Sequence, residues 1–588
     1  MVLKVKLAGS TAGRVALGLV LAAAAILRFT SLGFGLRHPP FVDEVYFVQS
    51  VSRMLSVGTL DHGFYEYPGL FSTLLVPALA FLSPPRLGPS AYLLSRGVVA
   101  AFSVLSVALC ARLAQRLWGG LAPALLAAAL LAVSPVEVET AHMVRPDIVL
   151  GTFVLLSSLF LLRVGEGRKG DLQAGVSIGI ATAVKFTGAL LAPCYLLRRA
   201  LSPGRRWPRV LLAGGAALLA FAVASPFTFL HARLAVLGLR SQVAYHYVAG
   251  PGDLGPLGTA LAYGRILLRA LGPVGVTLVP VGLWLRRREW RAFLPLALLP
   301  VLTVAVFSTA TVHEERFLVP VLGLLAVFAS AGATALFERG LVVAVAVSAA
   351  FLGPPLVYSL QFLSAISRPG TRDLAADWIE QHTPPGARVL VTLGANLGLD
   401  GKRFKVVRVD QLDESSFFPA LGMKVIAVGP GDDHRLVARL HKLFVAAPET
   451  RWSGPRIRLL APPPELVPVF EPLDLSRAQV RFWTGGIPCL QIDLAEPAIV
   501  ARVRLPGEGG LHAHRTGSRL SIFVGEPGQV LHKVHAFPAD FDATGEPVTL
   551  VFAPERAATV RMAFFGKASP PWTRGTIQLD SVGPIPPP

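Results

Sequence analysis

Long apolar runs alternate with short basic segments from the N-terminus to about Leu363. Two of these runs, Tyr92 to Leu113 and Phe317 to Leu336, have the length of about 20 residues that a helix needs to cross a bilayer. Basic segments such as Arg286-Arg287-Arg288 lie between the runs, and segments of this kind collect on the cytoplasmic side. The pattern predicts a mainly α-helical protein that crosses the membrane many times.

Run lengths and basic loops together predict eleven spans and a cytoplasmic N-terminus, because Lys4 and Lys6 precede the first run. The run Leu70 to Leu82 is short and contains Pro77, so we expect it to stay at the outer face as an interfacial or re-entrant helix. The predicted spans are Val15 to Ile26, Tyr92 to Leu113, Leu121 to Val133, Ile148 to Leu162, two short helices within Leu172 to Leu197, Val210 to Phe229, Ile266 to Leu285, Ala292 to Ser308, Phe317 to Leu336 and Leu341 to Leu363.

The run Leu172 to Leu197 is basic on both flanks, with Lys169 before it and Arg198 after it. Both of its ends should therefore be cytoplasmic, which requires an even number of passes. We expect two helices of about 13 residues each, which reach about 20 Å at 1.5 Å per residue. The segment Lys185 to Gly188 should form their outer junction.

The chain is less hydrophobic after residue 365, and eleven spans place this part outside the cytoplasm. Asp373 to Gln381 has helical spacing, Val389 to Leu393 and Lys424 to Gly431 have the apolar character of buried strands, and His434 to Phe444 has the pattern of a helix. This order predicts a small α/β domain over residues 366–460. Short alternating runs separated by turn residues then predict a β-sandwich over residues 461–588, behind a membrane domain over residues 1–365.

Composition supports this division and excludes several classes of protein. Of the 588 residues, 53% are hydrophobic and only 15% are charged, which is not typical of a soluble protein of this length. The net charge of +19 is spread over the loops between apolar runs, which favours a topology signal over nucleic-acid binding. Cys110 and Cys194 lie in apolar runs and only Cys489 lies in a polar region, so no disulfide framework is expected.

Polar residues collect in the predicted outer loops. The pair Asp43-Glu44 is surrounded by aromatic residues near the bilayer, where partial desolvation can raise the pKa of a carboxylate enough for general-base catalysis. A hydrated loop or a helix N-cap would also explain the pair. Lys185 at membrane depth is a functional candidate, although it could instead snorkel or pair with Asp147.

Other polar residues of these loops carry weaker signals. Glu137 and Glu139 are expected to form a solvated loop face. His142 and His231 have no ligand-like spacing, and we predict no metal site.

Four segments resemble one enzyme family. They are the long first outer loop with Asp43-Glu44, the sequence Arg145-Pro146-Asp147 at the start of a span, the stretch Gly175 to Gly188, and Glu315 to Pro320. In this order they are similar to glycosyltransferase family 39 and its relatives, which include protein O-mannosyltransferases and lipid A aminoarabinose transferases. The resemblance covers roughly residues 10 to 360 and implies the C-type glycosyltransferase (GT-C) membrane fold.

The resemblance implies roles for individual residues. Asp43 would be the catalytic base that activates the acceptor, and Glu44 a supporting carboxylate. Lys185 and Arg316 would meet the phosphate of the lipid-linked donor. Further candidates for substrate binding are Asp147, Arg145, His38 and His313.

We therefore expect a hexosyl- or pentosyltransferase in the cell (inner) membrane that uses a polyprenyl-phosphate sugar and no cofactor. Its acceptor would be an envelope glycan, a lipid or a protein; the C-terminal part shows no repeated β-trefoil pattern, which departs from the protein O-mannosyltransferases. A transporter or flippase of lipid-linked sugars is the alternative, but matching halves are not evident and the polar residues cluster on one side. A catalytically silent anchor for the C-terminal part is a third hypothesis.

Overall fold

The computed structural model describes residues 11–38, 42–82, 88–204, 206–247, 255–311, 313–450, 453–483, 489–505, 519–526, 530–534, 537–538, 548–565 and 577–582. The chain forms two compact units. The first comprises residues 1–36 and 40–367, and the second comprises residues 37–39 and 368–588. Each unit is described by itself.

The first unit is helical. Its helices are α1 (Thr11–Phe29), α2 (Val42–Val57), α3 (Leu70–Leu79), α4 (Pro89–Trp118), α5 (Ala122–Val133), α6 (Pro135–Ala141), α7 (Pro146–Leu161), α8 (Arg168–Val184), α9 (Leu191–Ala200), α10 (Arg206–Ala224), α11 (Pro226–Leu230), α12 (Ala232–Tyr247), α13 (Gly255–Leu285), α14 (Trp290–Phe307), α15 (Val319–Phe337) and α16 (Leu341–Ile366). The 3-10 helices Phe186–Leu190, Arg287–Glu289 and Glu315–Leu318 join some of them.

Seven helical segments among the described residues are long and apolar enough to cross a membrane, or eight if the bent pair α5 and α6 forms one span. The seven contain α1, α4, α10, α13, α14, α15 and α16. The predicted number of eleven spans is not confirmed: among the predicted spans, α7 is apolar but shorter, α8 begins with charged residues and α9 has only ten residues. The run that contains Pro77 forms only the ten-residue helix α3.

The centre of the bundle is α15, which packs against α4, α5, α7 and α13. Residues on every side of α15 are buried, including Leu322, Leu324 and Val327. A helix that is apolar all round belongs either in a protein interior or in a membrane, and the burial of α15 shows that neighbouring helices cover it. The other helices therefore surround α15 and fix the position of the loops at its N-terminal end.

Close contact between α8 and α10 depends on two glycines one helical turn apart. A Cβ atom at Gly175 would lie 2.2 Å from the carbonyl oxygen of Ala213, and one at Gly179 would lie 2.1 Å from that of Ala217. Small residues at such positions let helix backbones approach each other. The glycines of the stretch Gly175 to Gly188 thus serve packing.

The predicted interruption at Lys185 is confirmed. Helix α8 ends at Val184, Lys185 is extended with φ −154° and ψ 136°, and the 3-10 helix Phe186–Leu190 leads into α9. The two helices have 17 and 10 residues instead of about 13 each. A second interruption lies within α13, where Gly272 has a φ of 72°, a conformation that costs glycine little.

Charged side chains lie deep in the bundle. Both oxygens of the Glu44 carboxylate accept hydrogen bonds of 2.8 Å from Arg96, which also donates to the carbonyl oxygens of Leu32 and Phe34. Both side chains are at most 1% exposed. A buried ion pair is tolerated when further hydrogen bonds satisfy its partners, and this pair ties the loop before α2 to α4.

The expectation that Glu137 forms a solvated face is wrong. Glu137 is 2% exposed and accepts a hydrogen bond of 3.0 Å from Ser103, which in turn accepts one of 2.6 Å from Arg28. Helix α6 turns into the bundle after the bend at Ser134. Arg28 of α1, which is linked to Glu137 through Ser103, compensates the buried carboxylate. The polar character of the sequence around Glu137 did not predict this contact.

The second unit begins with α17 (Thr371–His382) and a five-stranded sheet. Its strands are β1 (Arg388–Thr392), β2 (Lys405–Val409), β3 (Val425–Val428), β4 (His441–Ala446) and β5 (Ile457–Ala461), in the order β2-β1-β3-β5-β4, with α18 (Glu414–Ala420) and α19 (His434–Ala438) between them. Strand β1 is parallel to β2 and β3, whereas β5 is antiparallel to β3 and β4. The α/β character, the first helix and both predicted strands are confirmed.

The predicted helix from His434 to Phe444 is wrong in its second half. Helix α19 ends at Ala438, and residues from His441 onward form the edge strand β4. The pairing of Phe444 with Leu459 on β5 outweighs the local preference for helix, since strand formation depends on cross-strand packing.

An eight-stranded sheet follows, in which six strands form a continuous path and two more pair with strands of that path. Its strands are β6 (Phe470–Pro472), β7 (Gln479–Trp483), β8 (Cys489–Leu505), β9 (Arg519–Gly525), β10 (His532–Val534), β11 (Phe537–Pro538), β12 (Val548–Phe565) and β13 (Gln578–Val582). The order β10-β9-β12-β8-β13-β6 forms the main path, β7 pairs with β8, and β11 pairs with β12. The predicted short strands are present, although two of them form the single bulged strand β12.

The expected domain boundary at residue 460 falls within β5, one residue before the first sheet ends. One buried cluster nevertheless contains Leu390 and Val407 of the first sheet together with Ala501 and Val551 of the second. The division of this part into separate α/β and β-sandwich domains remains a prediction.

The buried pair Glu44–Arg96 leads to a stability prediction. Arg96→Met should leave Glu44 charged and unpaired inside the bundle, which costs about 3–5 kcal/mol. We expect a clearly lower unfolding temperature for the variant in detergent micelles or nanodiscs. The matched control on the same helix is Arg112→Met, because Arg112 is exposed. The double variant Arg96→Met/Glu44→Gln should recover part of the loss, and equal unfolding temperatures for Arg96→Met and Arg112→Met would contradict the structural role.

Candidate functional site

Three charged residues from separate parts of the first unit meet at one point. Asp43 lies in the first turn of α2, Arg145 immediately precedes α7, and Arg316 lies in the 3-10 helix Glu315–Leu318. The carboxylate of Asp43 is 3.0 Å from Nε of Arg145 and accepts a hydrogen bond from Arg316. The Asp43 side chain is 30% exposed, so a ligand can reach it.

Arg316 is also bound on its other side. Its Nε lies 2.6 Å from one oxygen of Glu314, and its Nη2 donates a hydrogen bond of 2.9 Å to the other. The Arg316 side chain is 9% exposed. The guanidinium group therefore sits between two carboxylates, and Glu314 is a member of the site that the sequence interpretation missed. The run Glu314-Glu315-Arg316 could have identified it.

A second ion pair involves the interruption after α8. The Lys185 ammonium donates a hydrogen bond of 2.7 Å to Oδ1 of Asp147, in the first turn of α7. The ammonium also lies 5.9 Å from the ring centre of Tyr67 and 5.6 Å from that of Phe317, distances at which a cation is attracted to an aromatic face. The sequence analysis offered pairing with Asp147 as an alternative to a functional role for Lys185, and this pairing is present.

The carboxylate of Asp147 is only partly satisfied. Its Oδ2 atom is buried and has no hydrogen-bond partner among the described residues. A buried acceptor without a donor is costly, and it marks a position where a ligand hydroxyl could donate.

Each of the two groups of ion-paired residues has a net charge of zero. Arg145, Lys185 and Arg316 supply three positive charges, and Asp43, Asp147 and Glu314 supply three negative ones. An anion entering the site therefore has to compete with carboxylates that already hold these cations.

A cavity of about 170 Å³ includes Lys185 in its wall. Most of the wall is aromatic or aliphatic, and Gln242 and His246 of α12 add polar groups. Its lining consists of Glu66, Tyr67, Lys185, Phe186, Thr187, Leu239, Gln242, Val243, His246, Tyr247, Val306, Phe307 and Phe317. The cavity thus combines an extended apolar wall with the ammonium group of Lys185 and the carboxylate of Glu66, which accepts a hydrogen bond from Gln242.

His246 is a further residue of this wall, and the sequence analysis predicted no role for it. Burial, together with the positive charges of Lys185 and Arg316, lowers the pKa of His246 to about 4. The imidazole is neutral near pH 7, and its ring lies 5.3 Å from that of Phe317 in an edge-on arrangement. At neutral pH, His246 can therefore offer a hydrogen bond without adding charge.

Several predicted site residues lie elsewhere. Glu44 points into the bundle toward Arg96 and is fully buried. His313 forms a hydrogen bond of 2.7 Å with Thr259 and packs near Tyr263 on α13. His38 belongs to the second unit, where Nδ1 accepts a hydrogen bond from the Gly398 amide.

The other ring nitrogen of His38 lies 3.0 Å from Asp373, so both nitrogens are engaged within the second unit. The residues that the structure does bring together are Asp43, Arg145, Asp147, Lys185 and Arg316. Next to them, Arg269 of α13 pairs with Glu139 and Glu315. In the described parts of the chain, no group of three or more His, Cys, Asp or Glu residues is arranged to hold a metal ion.

Comparisons with known proteins give a consistent result. The family model of dolichyl-phosphate-mannose-protein mannosyltransferases matches residues 94–229. The crystal structure of ArnT from Cupriavidus metallidurans bound to undecaprenyl phosphate is similar with a TM-score of 0.52 and 15% sequence identity, over 76% of this chain and 98% of that chain. The apo structure of the same protein gives a TM-score of 0.51 with the same identity and coverage. No curated protein sequence matches significantly.

The structural match extends over nearly the whole of ArnT, and the family match covers α5 to α10 and most of α4. The matched segment contains Asp147 in the first turn of α7, Arg145 immediately before that helix and Lys185 immediately after α8. With its apolar helices, the chain is a multi-pass membrane protein with the GT-C fold, and its resemblance to the mannosyltransferases of glycosyltransferase family 39 is confirmed.

Proposed function

We propose that the protein is a membrane glycosyltransferase that transfers a hexose or pentose from a polyprenyl-phosphate donor to an acceptor at the outer face of the membrane. The observation that carries this proposal is the position of Lys185, which belongs both to the ion-pair site and to the wall of the apolar cavity. A lipid phosphate has the same combination of an apolar chain and an anionic head. The similarity in fold to ArnT, whose structure has been solved with undecaprenyl phosphate, supports this choice of donor.

The donor phosphate would bind at Lys185 and Arg316. The apolar lining, with residues such as Val243 and Phe307, would contact the first part of the polyprenyl chain and release water from both surfaces. The unsatisfied Oδ2 of Asp147 would accept a hydrogen bond from a hydroxyl of the donor sugar. The site thus offers a separate partner for each part of the donor.

Asp43 would act as the base, but its two arginine partners restrain it. An arriving phosphate would compete for Arg316 and Arg145, because guanidinium groups bind phosphate through strong charge-assisted hydrogen bonds. Asp43 would then be released toward the acceptor. Donor binding would therefore precede and enable activation of the acceptor.

The transfer itself would invert the anomeric carbon. Asp43 takes the proton from the acceptor O–H or N–H group while that atom forms a bond to the anomeric carbon. The bond between the anomeric carbon and the phosphate oxygen breaks, and its electron pair leaves with the polyprenyl phosphate. Arg316 and Lys185 stabilise the charge that develops on this leaving group.

The direct test of this function is mass spectrometry of lipid-linked sugars and envelope glycans in cells with and without the protein. We expect one glycosylated product to disappear and its lipid-linked donor to accumulate. An unchanged set of glycans with an altered distribution of donor across the membrane would instead support a flippase.

Lys185→Met tests the donor site. Loss of one charge-assisted contact to phosphate should weaken binding of undecaprenyl phosphate about 10- to 100-fold, measured by native mass spectrometry or thermophoresis in nanodiscs. Lys169→Met is the matched control, because Lys169 is exposed at the opposite end of α8. In Lys185→Met the carboxylate of Asp147 loses its cation, which could destabilise the fold. The double variant Lys185→Met/Asp147→Asn removes that charge, so weaker binding in this variant reports loss of the phosphate contact and not misfolding. Equal affinity in this double variant and the wild type would exclude Lys185 as a phosphate ligand.

Asp43→Asn tests the base. The substitution keeps the shape of the side chain and removes the proton acceptor, so kcat should fall about 10²- to 10⁴-fold. Binding of undecaprenyl phosphate should be retained or tightened, because Arg316 and Arg145 lose a competing carboxylate. Both quantities are measured on the purified, folded protein with the acceptor identified by mass spectrometry.

Glu44→Gln is the control for this prediction. It should lower thermal stability through the contact with Arg96 and leave kcat per folded molecule within a few fold. A larger loss of kcat in Glu44→Gln than in Asp43→Asn would assign the base to Glu44.

A further inference from the structure

The eight-stranded sheet of the second unit carries a row of five paired residues. Lys533 of β10 is opposite Phe523 of β9, which is opposite Arg561 of β12 on its other side. Arg561 is opposite Gln491 of β8, and Gln491 is opposite Arg481 of β7. Residues paired in this way project from the same face of a sheet, so the row crosses five adjacent strands and spans about 19 Å.

This face is turned away from the core. The residues next to the row on the three central strands β9, β12 and β8 are buried, for example Val524, Met562 and Ile492, each at most 1% exposed, and they belong to one apolar cluster. On the outer strand β7, both neighbours of Arg481 are exposed. Side chains alternate between the two faces of a strand. Lys533, Arg561 and Arg481 are accordingly exposed, and Phe523 and Gln491 are half-buried.

Hydrogen bonds hold the centre of the row in place. Arg561 donates bonds of 2.9 and 2.6 Å to the amide oxygen of Gln491, and the amide nitrogen of Gln491 donates one of 2.7 Å to Asp493. Thr559 donates a further bond of 2.8 Å to Asp493, and Nε of Arg481 lies 3.6 Å from the same carboxylate. The polar groups of the face are thus oriented by one another before any ligand arrives.

The residues beside the row are small near its aromatic centre. Gly525 and Thr559 pair with each other on one side, and Ser521 and Ala563 pair on the other. Phe523 and Arg561 therefore have short side chains as neighbours on this face. The ring of Phe523 is accessible in part, between the cations of Lys533 and Arg561.

We propose that this row binds an acidic glycan, a saccharide chain that carries carboxylate or phosphate groups. Lys533, Arg561 and Arg481 lie on alternate strands, about 10 Å apart along the row, and the charges of these three described residues and of Asp493 sum to +2. Arginine forms forked hydrogen bonds with carboxylate and phosphate, the ring of Phe523 can pack against a sugar ring, and the Gln491 amide lies between two of the cations. A neutral saccharide would not use these charges.

This binding site is independent of the proposed transfer reaction, since its residues belong to the second unit and the ion-pair site belongs to the first. The test therefore measures binding and not transfer. The full-length protein in nanodiscs of neutral lipid is applied to immobilised polygalacturonate and, separately, to its methyl ester, which has the same sugars without the charges. Binding to polygalacturonate should be at least tenfold tighter than to the ester and should weaken with salt.

Two substitutions locate the site. Arg561→Gln and Phe523→Ala should each weaken binding to polygalacturonate about tenfold, while transfer activity stays unchanged. Arg435→Gln is the matched control, because Arg435 is an exposed arginine of the same unit on α19 and should bind as the wild type does. Equal binding by Arg561→Gln and Arg435→Gln, equal binding of polygalacturonate and its ester, or a preference for phosphatidylglycerol vesicles over polygalacturonate would each overturn the proposal.

Discussion

Pairing of buried charges is the constraint on which the membrane unit depends. Removing one partner of a buried ion pair costs several kcal/mol, since the other is left uncompensated in a medium of low polarity. Glu44 with Arg96 and Asp147 with Lys185 meet this requirement through direct contacts. Each pair also joins segments that are far apart in the chain, so the same contacts that neutralise the charges position the loops around the site.

The site differs from the structural pairs in one physical respect. Glu44 is fully buried and receives hydrogen bonds from Arg96 and from the Val144 amide, so its acceptor atoms are satisfied. Asp43, the next residue, is 30% exposed and shares its carboxylate between two arginines. Neighbouring carboxylates thus have different surroundings, one fixed in the bundle and one accessible to a ligand. This difference in exposure is the reason for assigning the role of base to Asp43 and a structural role to Glu44.

The balance of charge around Lys185 and Arg316 gives the donor phosphate a specific role in the proposed mechanism. A site with an excess of positive charge would bind many anions, whereas here an anion must displace carboxylates from their cations. The apolar wall of the cavity supplies the additional free energy of binding that only an amphiphilic ligand can use. Selectivity for a lipid phosphate over a free phosphate follows from this combination.

The sequence by itself determined the elements that depend on local pattern. Apolar length predicted most of the helices, and the basic flanks and the Lys185 segment predicted the interruption after α8. The family motifs pointed to Asp43, Arg145, Asp147, Lys185 and Arg316 as candidates, and the structure brings these five residues together. Only the tertiary structure decided that Glu44 and Glu137 are buried and that His38 belongs to the second unit. It also decided that strand β4 forms where the spacing of apolar residues predicts a helix. The physical reason is the distance along the chain between partners: Glu44 and Arg96 are 52 residues apart, and Asp43 and Arg316 are 273 apart. Local periodicity reports which face of an element is apolar, but the partner of a charge is set by the packing of elements that no short window contains.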